Sequence, residues 1–217
     1  MNGVFVTGTG TEVGKTVVAA ALAHTLAAAS AKVAVFKPCV TGLEEDGESD
    51  HELLRRAAGS FQSDAEIAPY RYGPPVSPHL GAALAGKEIE PAWLREAAAA
   101  AASAADAIVC EGVGGLLVPL NGSYLVRDLA ADLGYPLVVA AAPGLGTINH
   151  TLLTLAVARA AGLEVAAVVL TPWPGEPNEI ERSNLETIAA LGEVEVLTLP
   201  WLDLTEPETW PQLRLSR

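Results

Sequence analysis

The sequence has few basic residues and no long uninterrupted apolar run. It carries 13 lysine and arginine residues against 26 aspartate and glutamate residues, so its net charge is −13 at pH 7. We do not expect so acidic a chain to bind nucleic acid or an anionic membrane. Its apolar runs are too short to span a bilayer, and no basic N-terminal region precedes a cleavage site. The sequence therefore predicts a soluble, cytoplasmic protein.

Cysteine is also scarce, and the motifs of two other classes of site are missing. Cys39 and Cys110 each end an apolar run and show no motif spacing, so we expect reduced, buried thiols. No cluster of histidine and cysteine indicates a zinc site. No Gly-x-Ser-x-Gly element indicates a serine hydrolase.

Apolar runs of strand length alternate with segments of helix length. The runs are continuous rather than alternating, as is typical of parallel strands covered on both faces. We predict one domain over residues 1–217, a doubly wound α/β fold with a mainly parallel sheet and helices on both faces. The predicted strands are Gly3–Thr7, Lys32–Lys37, Ala107–Cys110, Leu137–Ala142, Val165–Leu170 and Val194–Leu199. The predicted helices are Gly14–Ala29, Asp50–Ala58, Pro91–Ala104, Leu125–Leu133, Thr147–Ala161 and Asn178–Leu191.

Two segments lack a regular pattern. Pro69–His79 contains four prolines and no period, so we predict an irregular crossing segment. From about residue 200 to residue 217 the chain is rich in tryptophan and proline. It is predicted to form a non-periodic tail near a nucleotide base.

The stretch Val4–Thr16 runs from an apolar strand through a glycine-punctuated turn into Gly14, Lys15 and Thr16. This is the layout of a phosphate-binding loop, in which backbone N–H groups wrap phosphates, the lysine neutralises them and the threonine hydroxyl reaches Mg²⁺. The positive end of the following helix adds to such a site. The usual position of the first glycine holds Thr9. We therefore predict a phosphate loop that is one residue longer than usual or is built differently.

Two charged residues close predicted strands, and the carboxyl ends of parallel strands meet at the edge where ligands bind. Lys37 ends the second strand, where its charge would stabilise a transferred phosphoryl group, although an ordinary surface lysine fits equally well. Glu111 ends the third strand as a Walker-B carboxylate does, and we expect it to hold Mg²⁺ directly or through water. The glycines within Gly112–Gly115 permit close approach of the backbone to a ligand.

The stretches after the remaining strands are ambiguous on the residues alone. A helix begins near Thr147, and its exposed amides would bind an anion, although an ordinary N-cap is the simpler interpretation. The fifth and sixth strands run into Thr171–Trp173 and Pro200–Leu202, where a nucleotide base would lie. Tryptophan is more common as a core or lid residue than as a base contact.

Together these residues resemble the dethiobiotin synthetases, the ATP-dependent cyclases of biotin synthesis, over nearly the whole chain. The lengthened loop at Val6–Thr16 is the most specific part of the resemblance. The other parts, in matching order and spacing, are Phe36–Pro38 with Thr41–Gly42, Ser49–Asp50, Ser77–His79, Glu111–Gly115, Gly146–His150 and Pro200–Leu202.

The resemblance implies a P-loop NTPase fold, a reaction and its partners. CO₂ or bicarbonate adds to an amine of 7,8-diaminononanoate as a carbamate, which ATP phosphorylates to a carbamic-phosphoric anhydride. The second amine then closes the cyclic urea of dethiobiotin, leaving ADP and phosphate. The resemblance also implies Mg²⁺ as cofactor, ATP or another nucleoside triphosphate as co-substrate, and a homodimer.

Residue roles follow from the resemblance as well. Lys15 and Lys37 would be catalytic, and Thr16, Asp50 and Glu111 would hold Mg²⁺. The nucleotide would contact Thr11, Glu12, Val13, Gly14, Lys15, Thr16, Val17, Asp50, Glu111, Gly112, Val113, Gly114, Thr171, Pro172, Pro200, Trp201 and Leu202. The diamine would contact Glu12, Lys37 and Thr41 and, from the second subunit, Gly146, Thr147, Ile148 and Asn149. Glu12 either orients the substrate amines or only shapes the loop through its backbone.

One departure from the resemblance concerns the nucleotide base. Many dethiobiotin synthetases carry an asparagine after the fifth strand that recognises adenine, whereas this chain has Thr171 and Pro172. Proline has no N–H to donate, and threonine cannot imitate the two-faced amide of asparagine. We therefore predict weak discrimination between nucleoside triphosphates.

Two other protein classes carry a similar loop. ATPase switches of the ParA and MinD kind have a lysine four residues before the last glycine of the loop, where this chain has Gly10. They also usually have a basic feature that binds DNA or membrane. The synthetase domains of cobyrinate-type amidotransferases are joined to a glutaminase domain, for which this chain is too short.

Overall fold

The fold is built on a six-stranded parallel sheet with helices on both faces. The computed structural model describes residues 3–29, 31–44 and 47–216. The strands are β1 (Gly3–Gly8), β2 (Val33–Phe36), β3 (Cys39–Val40), β4 (Tyr70–Arg71), β5 (Ala107–Glu111), β6 (Leu137–Ala141), β7 (Val165–Trp173) and β8 (Val196–Pro200). The helices are α1 (Lys15–Ala28), α2 (Asp50–Ala58), α3 (Asp64–Ile67), α4 (Pro78–Leu84), α5 (Pro91–Ser103), α6 (Val126–Leu133), α7 (Thr147–Ala160) and α8 (Glu179–Gly192), and a 3₁₀ turn lies at Pro207–Thr209.

The sheet order is β2-β5-β1-β6-β7-β8, and all of its neighbouring strands are parallel. Every residue of β1 is buried. Val4 and Val6 pack in one core with residues of α1 and α2, whereas Phe5 packs in a second core with residues of α5 and α6. Because both faces are covered, the strands are apolar without alternation. This arrangement confirms the predicted doubly wound α/β fold.

Helix α1 packs closely against the sheet because its inward residues are small. Val18 to Ala23 are all buried, and four of these six residues are alanine. Alanine loses no side-chain entropy on burial and has the highest helix propensity. The helix is therefore held in place at the point where the phosphate loop ends.

Several parts of the fold differ from the prediction, and one of them is the short helix α3, which was not predicted. The segment Pro69–His79 was expected to be irregular, but β4 lies near its start, paired with β3 in a small parallel sheet, and α4 begins at Pro78. A two-residue strand is too short to show a period, and proline at the first position of a helix is favourable. The predicted fifth strand is also too short, because β7 continues through Pro172 to Trp173. Its register shifts there, since proline has no N–H for the ladder.

The residues after β8 pack against α1. Leu202, Trp210 and Leu213 are buried in the same core as α1. The backbone N–H of Leu213 donates to the hydroxyl of Thr25 over 2.9 Å, and the indole N–H of Trp210 donates to the carbonyl of Asp203 over 2.7 Å. Between the end of β8 and residue 216, the 3₁₀ turn at Pro207–Thr209 is the one regular element.

The two cysteine side chains lie in the interior, as expected. Cys39 and Cys110 are unpaired and buried, and burial raises the pKa of the Cys39 thiol to about 12. Such a thiol is unreactive at neutral pH.

Within the described ranges, none of the helices has both the length and the apolar character needed to cross a bilayer.

Candidate functional site

The loop between β1 and α1 contains two residues with left-handed backbone, Glu12 and Gly14. Gly14 has φ +84°, and an added Cβ there would lie 2.5 Å from Cγ2 of Thr171, so only glycine fits. Glu12 also lies in the left-handed region, with φ +58°. Left-handed backbone at a residue other than glycine is a strain that is common at ligand sites. Helix α1 begins directly after this loop, so its free N-terminal amides face the loop.

Lys15 folds back over the loop. Its Nζ donates to the carbonyl oxygen of Gly10 over 2.7 Å, and the residue is buried. Burial lowers the pKa of Lys15, while the carboxylate of Glu111 acts in the opposite direction. The contact places a positive charge inside the loop, close to where phosphates would lie.

A lysine, two carboxylates and a hydroxyl meet beside the loop. The Nζ of Lys37 lies 2.5 Å from Oδ2 of Asp50 and 2.6 Å from Oε1 of Glu111. The hydroxyl oxygen of Thr16 lies 2.9 Å from Oδ1 of Asp50 and 2.9 Å from Oε1 of Glu111. We call Thr16, Lys37, Asp50 and Glu111 the acid–lysine cluster. All four residues were predicted for the site.

The register of the sheet explains why these side chains meet. Phe36 in β2 pairs with Cys110 in β5, so the residues that follow, Lys37 and Glu111, lie side by side. The backbone N–H of Lys37 donates to the carbonyl of Ile67 over 2.9 Å, which fixes the end of this edge strand. Asp50 is the first residue of α2, where the helix dipole favours a negative charge.

The charges of the acid–lysine cluster depend on one another. Burial opposes the charge of Lys37, but Glu111 and Asp50 outweigh burial, and the pKa of Lys37 is raised. Burial also opposes the charge of Asp50, but Lys37, Thr16 and Lys15 together outweigh it and lower the pKa of this carboxyl. Burial raises the pKa of Glu111 in spite of Lys37. Lys37 and Asp50 are therefore charged at neutral pH.

The loop and the acid–lysine cluster open into a single cleft of about 700 Å³. The predicted site residues that line it are Thr11, Glu12, Gly14, Lys15, Thr16, Val17, Lys37, Thr41, Asp50, Glu111, Val113 and Gly114. The structure thus brings the proposed metal contacts, most of the proposed phosphate contacts and the diamine contacts Glu12, Lys37 and Thr41 into one space.

Other predicted residues lie outside this cleft. Gly146, Thr147, Ile148 and Asn149 form the start of α7, where Gly146 and Asn149 are exposed. The predicted contacts of the base also lie elsewhere: Thr171 and Leu202 are buried, whereas Trp201 is 74% exposed. The remaining predicted residues outside the lining are Val13, Gly112, Pro172 and Pro200. Gly112 has a packing role, since an added Cβ would lie 2.9 Å from the side chain of Val126.

One wall of the cleft is formed by residues that had no predicted role. Pro75, Val76, Ser77 and Pro78 line it on the way into α4, and Val118 adds a further apolar side chain. Ser77–His79 was noted only as part of the resemblance, and a serine before a proline at the first position of a helix is a recognisable helix start signal. The cleft therefore combines a charged wall with a largely apolar one.

The acid–lysine cluster has the donors that Mg²⁺ prefers. Thr16, Asp50 and Glu111 offer hard oxygen atoms, and Oε2 of Glu111 is buried without a hydrogen-bond partner. Over the described ranges, no three His, Cys, Asp or Glu side chains group to hold a metal. Mg²⁺ usually binds one or two carboxylates together with waters and substrate phosphates, so a partial protein site suits it. The residues present fit the ion.

Comparison with known proteins adds independent information. A family model described as an AAA domain matches residues 2–209. A relative from Anaeromyxobacter dehalogenans (strain 2CP-1), named ATP-dependent dethiobiotin synthetase BioD, is 44% identical over 93% of this chain and 91% of its own. Relatives of the same name from Rhodococcus erythropolis and Bacillus subtilis (strain 168) are 40% and 35% identical, over 89% and 91% of this chain and 86% of each relative.

Solved structures share the fold at low identity. A ParA family ATPase from Chlorobium tepidum aligns with a TM-score of 0.59 at 13% identity, covering 95% of this chain and 89% of that chain. The MinC:MinD cell division complex of Aquifex aeolicus aligns with a TM-score of 0.59 at 14% identity, covering 94% and 83%. At such identities the likeness concerns the fold alone, and it confirms the predicted P-loop NTPase type.

Proposed function

The chain belongs to the family of ATP-dependent dethiobiotin synthetases, which are ligases, and on this premise we propose that it converts 7,8-diaminononanoate, CO₂ and ATP to dethiobiotin, ADP and phosphate. The proposal rests on the cleft that joins the phosphate loop, Lys37 and Thr41. A reaction between a nucleotide and a small diamine needs these groups in one enclosed space.

The proposed reaction has three steps. One amine attacks CO₂ and loses a proton, which gives a carbamate. A carbamate oxygen attacks the γ-phosphorus of ATP and displaces ADP, which gives a carbamic-phosphoric anhydride. The second amine attacks the carbon of the anhydride, a proton is lost, and phosphate leaves as the ring closes. The protein's contribution is orientation and stabilisation of charge, as in other phosphoryl transfers.

The residues of the charged wall have distinct proposed roles. Residues Glu12 to Val17 wrap the phosphates, and Lys15 and Lys37 neutralise charge that develops on the transferred phosphoryl group. Thr16, Asp50 and Glu111 would hold Mg²⁺, which when bound neutralises the phosphate oxygens. Lys37 also lies beside the carbamate.

The substrate side of the cleft is proposed to hold the diamine. Thr41 contacts its amine end, and the side chain of Glu12, which is exposed at the rim, orients the amines. The apolar wall that includes Val76 and Val118 excludes water from the alkyl chain.

A homodimer would complete this site. The amides at the start of α7, from Gly146 to Asn149, would bind the substrate carboxylate across the subunit interface. Three leucines near this helix are exposed: Leu117 by 53%, Leu145 by 95% and Leu153 by 57%. Leu117 and Leu153 line an apolar groove of about 200 Å³. A second subunit would bury such a surface.

ATP is the expected co-substrate, and we propose that the base is only weakly discriminated. Thr171 is buried, and its methyl group faces Gly14, so its side chain is not directed outward at a base. Pro172 offers no N–H. Pro200, Trp201 and Leu202 would cover the base mainly by contact with its faces. Comparable rates and KM values with ATP, CTP and GTP are expected, and turnover with ATP alone would contradict this.

The direct test of the function is identification of the product by mass. Incubation with 7,8-diaminononanoate, bicarbonate, Mg²⁺ and ATP should give dethiobiotin, and phosphate release should require both the diamine and bicarbonate. Phosphate release stimulated by DNA or lipid instead would favour an ATPase switch. The likeness to ParA and MinD does not favour that function, because it extends only to the fold.

A further inference from the structure

We propose that the ammonium group of Lys37 and a divalent cation compete for the same carboxylate oxygens, so that binding of the cation moves Lys37 away from Asp50 and Glu111. The inference rests on the metal site proposed above. It adds an order of events: the cation must bind before Lys37 is available to a phosphoryl group.

The contacts of Glu111 carry the inference. Its Oε1 atom lies 2.6 Å from Nζ of Lys37 and 2.9 Å from the hydroxyl oxygen of Thr16. A carboxylate oxygen has two lone pairs, and the ammonium group of Lys37 holds one of them. A cation held between Thr16 and Glu111 that takes the lone pair facing Thr16 would share this oxygen with the ammonium group, and the two positive charges would repel each other.

The contacts of Asp50 lead to the same conclusion. Its Oδ2 atom lies 2.5 Å from Nζ of Lys37, and its Oδ1 atom lies 2.9 Å from the hydroxyl oxygen of Thr16. The hydroxyl has one proton and faces one oxygen from each carboxylate, so it cannot donate to both at once. A cation at this point would instead accept the lone pairs of all three oxygens.

The repulsion between the two positive charges is strong on the side of Glu111, where little water can screen it, whereas the side chain of Asp50 is 44% exposed. The side chain of Lys37 is 3% exposed and that of Glu111 is fully buried. In such a site, charges interact more strongly than in water. The displaced ammonium group remains in the cleft, because Lys37 lines it together with Gly14 and Lys15. Its new position faces the space proposed for the phosphates.

The first test measures cation binding in the absence of nucleotide and diamine. MnCl₂ serves as the probe, because Mn²⁺ prefers the same oxygen ligands. In calorimetry, Lys37→Met is expected to bind Mn²⁺ at least tenfold more tightly than the wild type. Lys15→Met is the matched control, because it removes the same charge from a lysine that is bonded to the carbonyl of Gly10. The affinity of Lys15→Met for Mn²⁺ should rise less than threefold. An equal rise in affinity in both variants would overturn the proposal.

The second test uses the wild type, because Lys37→Met leaves the buried carboxylate of Glu111 uncompensated and is expected to be less stable. Acylation of lysines is followed by mass spectrometry with and without saturating Mn²⁺, with the exposed Lys87 as the reference. Labelling of Lys37 relative to Lys87 should rise severalfold when Mn²⁺ is present. Unchanged labelling with bound Mn²⁺ would show that both cations coexist, for instance with Mn²⁺ at the unpartnered Oε2 of Glu111.

Failure of this inference can be told apart from failure of the proposed function. Neither test contains a substrate, so an exchange of cations without dethiobiotin formation would refute the function alone. Formation of dethiobiotin without the exchange would refute this inference alone.

Discussion

Lys37 stabilises the site and is also proposed to act in catalysis. In Lys37→Gln, the side-chain amide still donates hydrogen bonds to Glu111 but no longer carries charge. We expect kcat to fall by about 10²–10³-fold, which corresponds to the ~3–4 kcal/mol lost with one charge-stabilising group. Nucleotide affinity should fall far less, because Lys15 and the loop amides remain.

Steady-state kinetics and nucleotide titration would measure both effects of Lys37→Gln. The control is Lys87→Gln, which removes the charge of an exposed lysine outside the cleft. Turnover near the wild-type rate in Lys37→Gln would remove this residue from the catalytic set.

Gly14 connects the phosphate loop to β7, and this contact can be tested by a double-mutant cycle. Gly14→Ala adds a Cβ at φ +84°, 2.5 Å from Cγ2 of Thr171, and should cost about 2 kcal/mol or more of unfolding free energy. Thr171→Ser removes that methyl group. The free energy of unfolding of the double variant, measured in urea, should be higher than additive losses predict by about 1 kcal/mol. Additive losses would mean that backbone strain alone causes the effect.

Helix α2 presents Asp50 to the site, and its neighbour His51 gives this element a dependence on pH. His51 is 4% exposed, and burial lowers its pKa, while Asp64 and Glu52 act in the opposite direction. The unfolded chain therefore binds a proton on His51 that the folded chain excludes. The free energy of unfolding is expected to fall as the pH drops below the ordinary histidine pKa of about 6.5. The fall is at most about 1.4 kcal/mol per pH unit.

Urea unfolding at about pH 7.5 and about pH 5.5 would measure this dependence. His51→Gln has no titrating ring, so its loss of stability over this range should be smaller than that of the wild type. An equal loss in both proteins would assign the pH dependence to other groups.

The longer elements were predictable because each carries a signal that covers many residues. β1, β5 and β6 are continuous apolar runs, and α1 follows the loop as an alanine-rich segment. β3, β4, α3 and α4 were not predicted, because elements of two to four residues, or with a proline-rich approach, depend on tertiary contacts. The apolar wall from Pro75 to Pro78 was missed for the same reason.

The residues of the site were easier to predict than their contacts. Glu111 and Lys37 were expected at the same edge because each closes a strand. The double ion pair of Lys37 with Asp50 and Glu111 depends on two further facts. One is the register of Phe36 with Cys110, and the other is the position of α2. No local pattern encodes either of these, so the sequence did not predict the acid–lysine cluster as a bonded unit.

At the scale of the whole molecule, the proposed dimer makes each active site a product of two chains. Lys37 would come from one subunit and the start of α7 from the other. Asn149→Asp places a negative charge near the proposed carboxylate site, while an acidic residue in the first turn is compatible with the helix. The variant should fold normally and bind the diamine weakly, since the new charge repels the substrate carboxylate.

Coexpression of Lys37→Gln with Asn149→Asp chains then gives a quantitative prediction. Random pairing makes about half of the dimers mixed, and in each mixed dimer one site carries both substitutions while the other carries neither. At low diamine concentration, activity should therefore return to about one quarter of the wild-type value. Each variant alone should remain nearly inactive. If coexpression restores no activity although mixed dimers are present, both groups act within one chain, and the shared site is wrong.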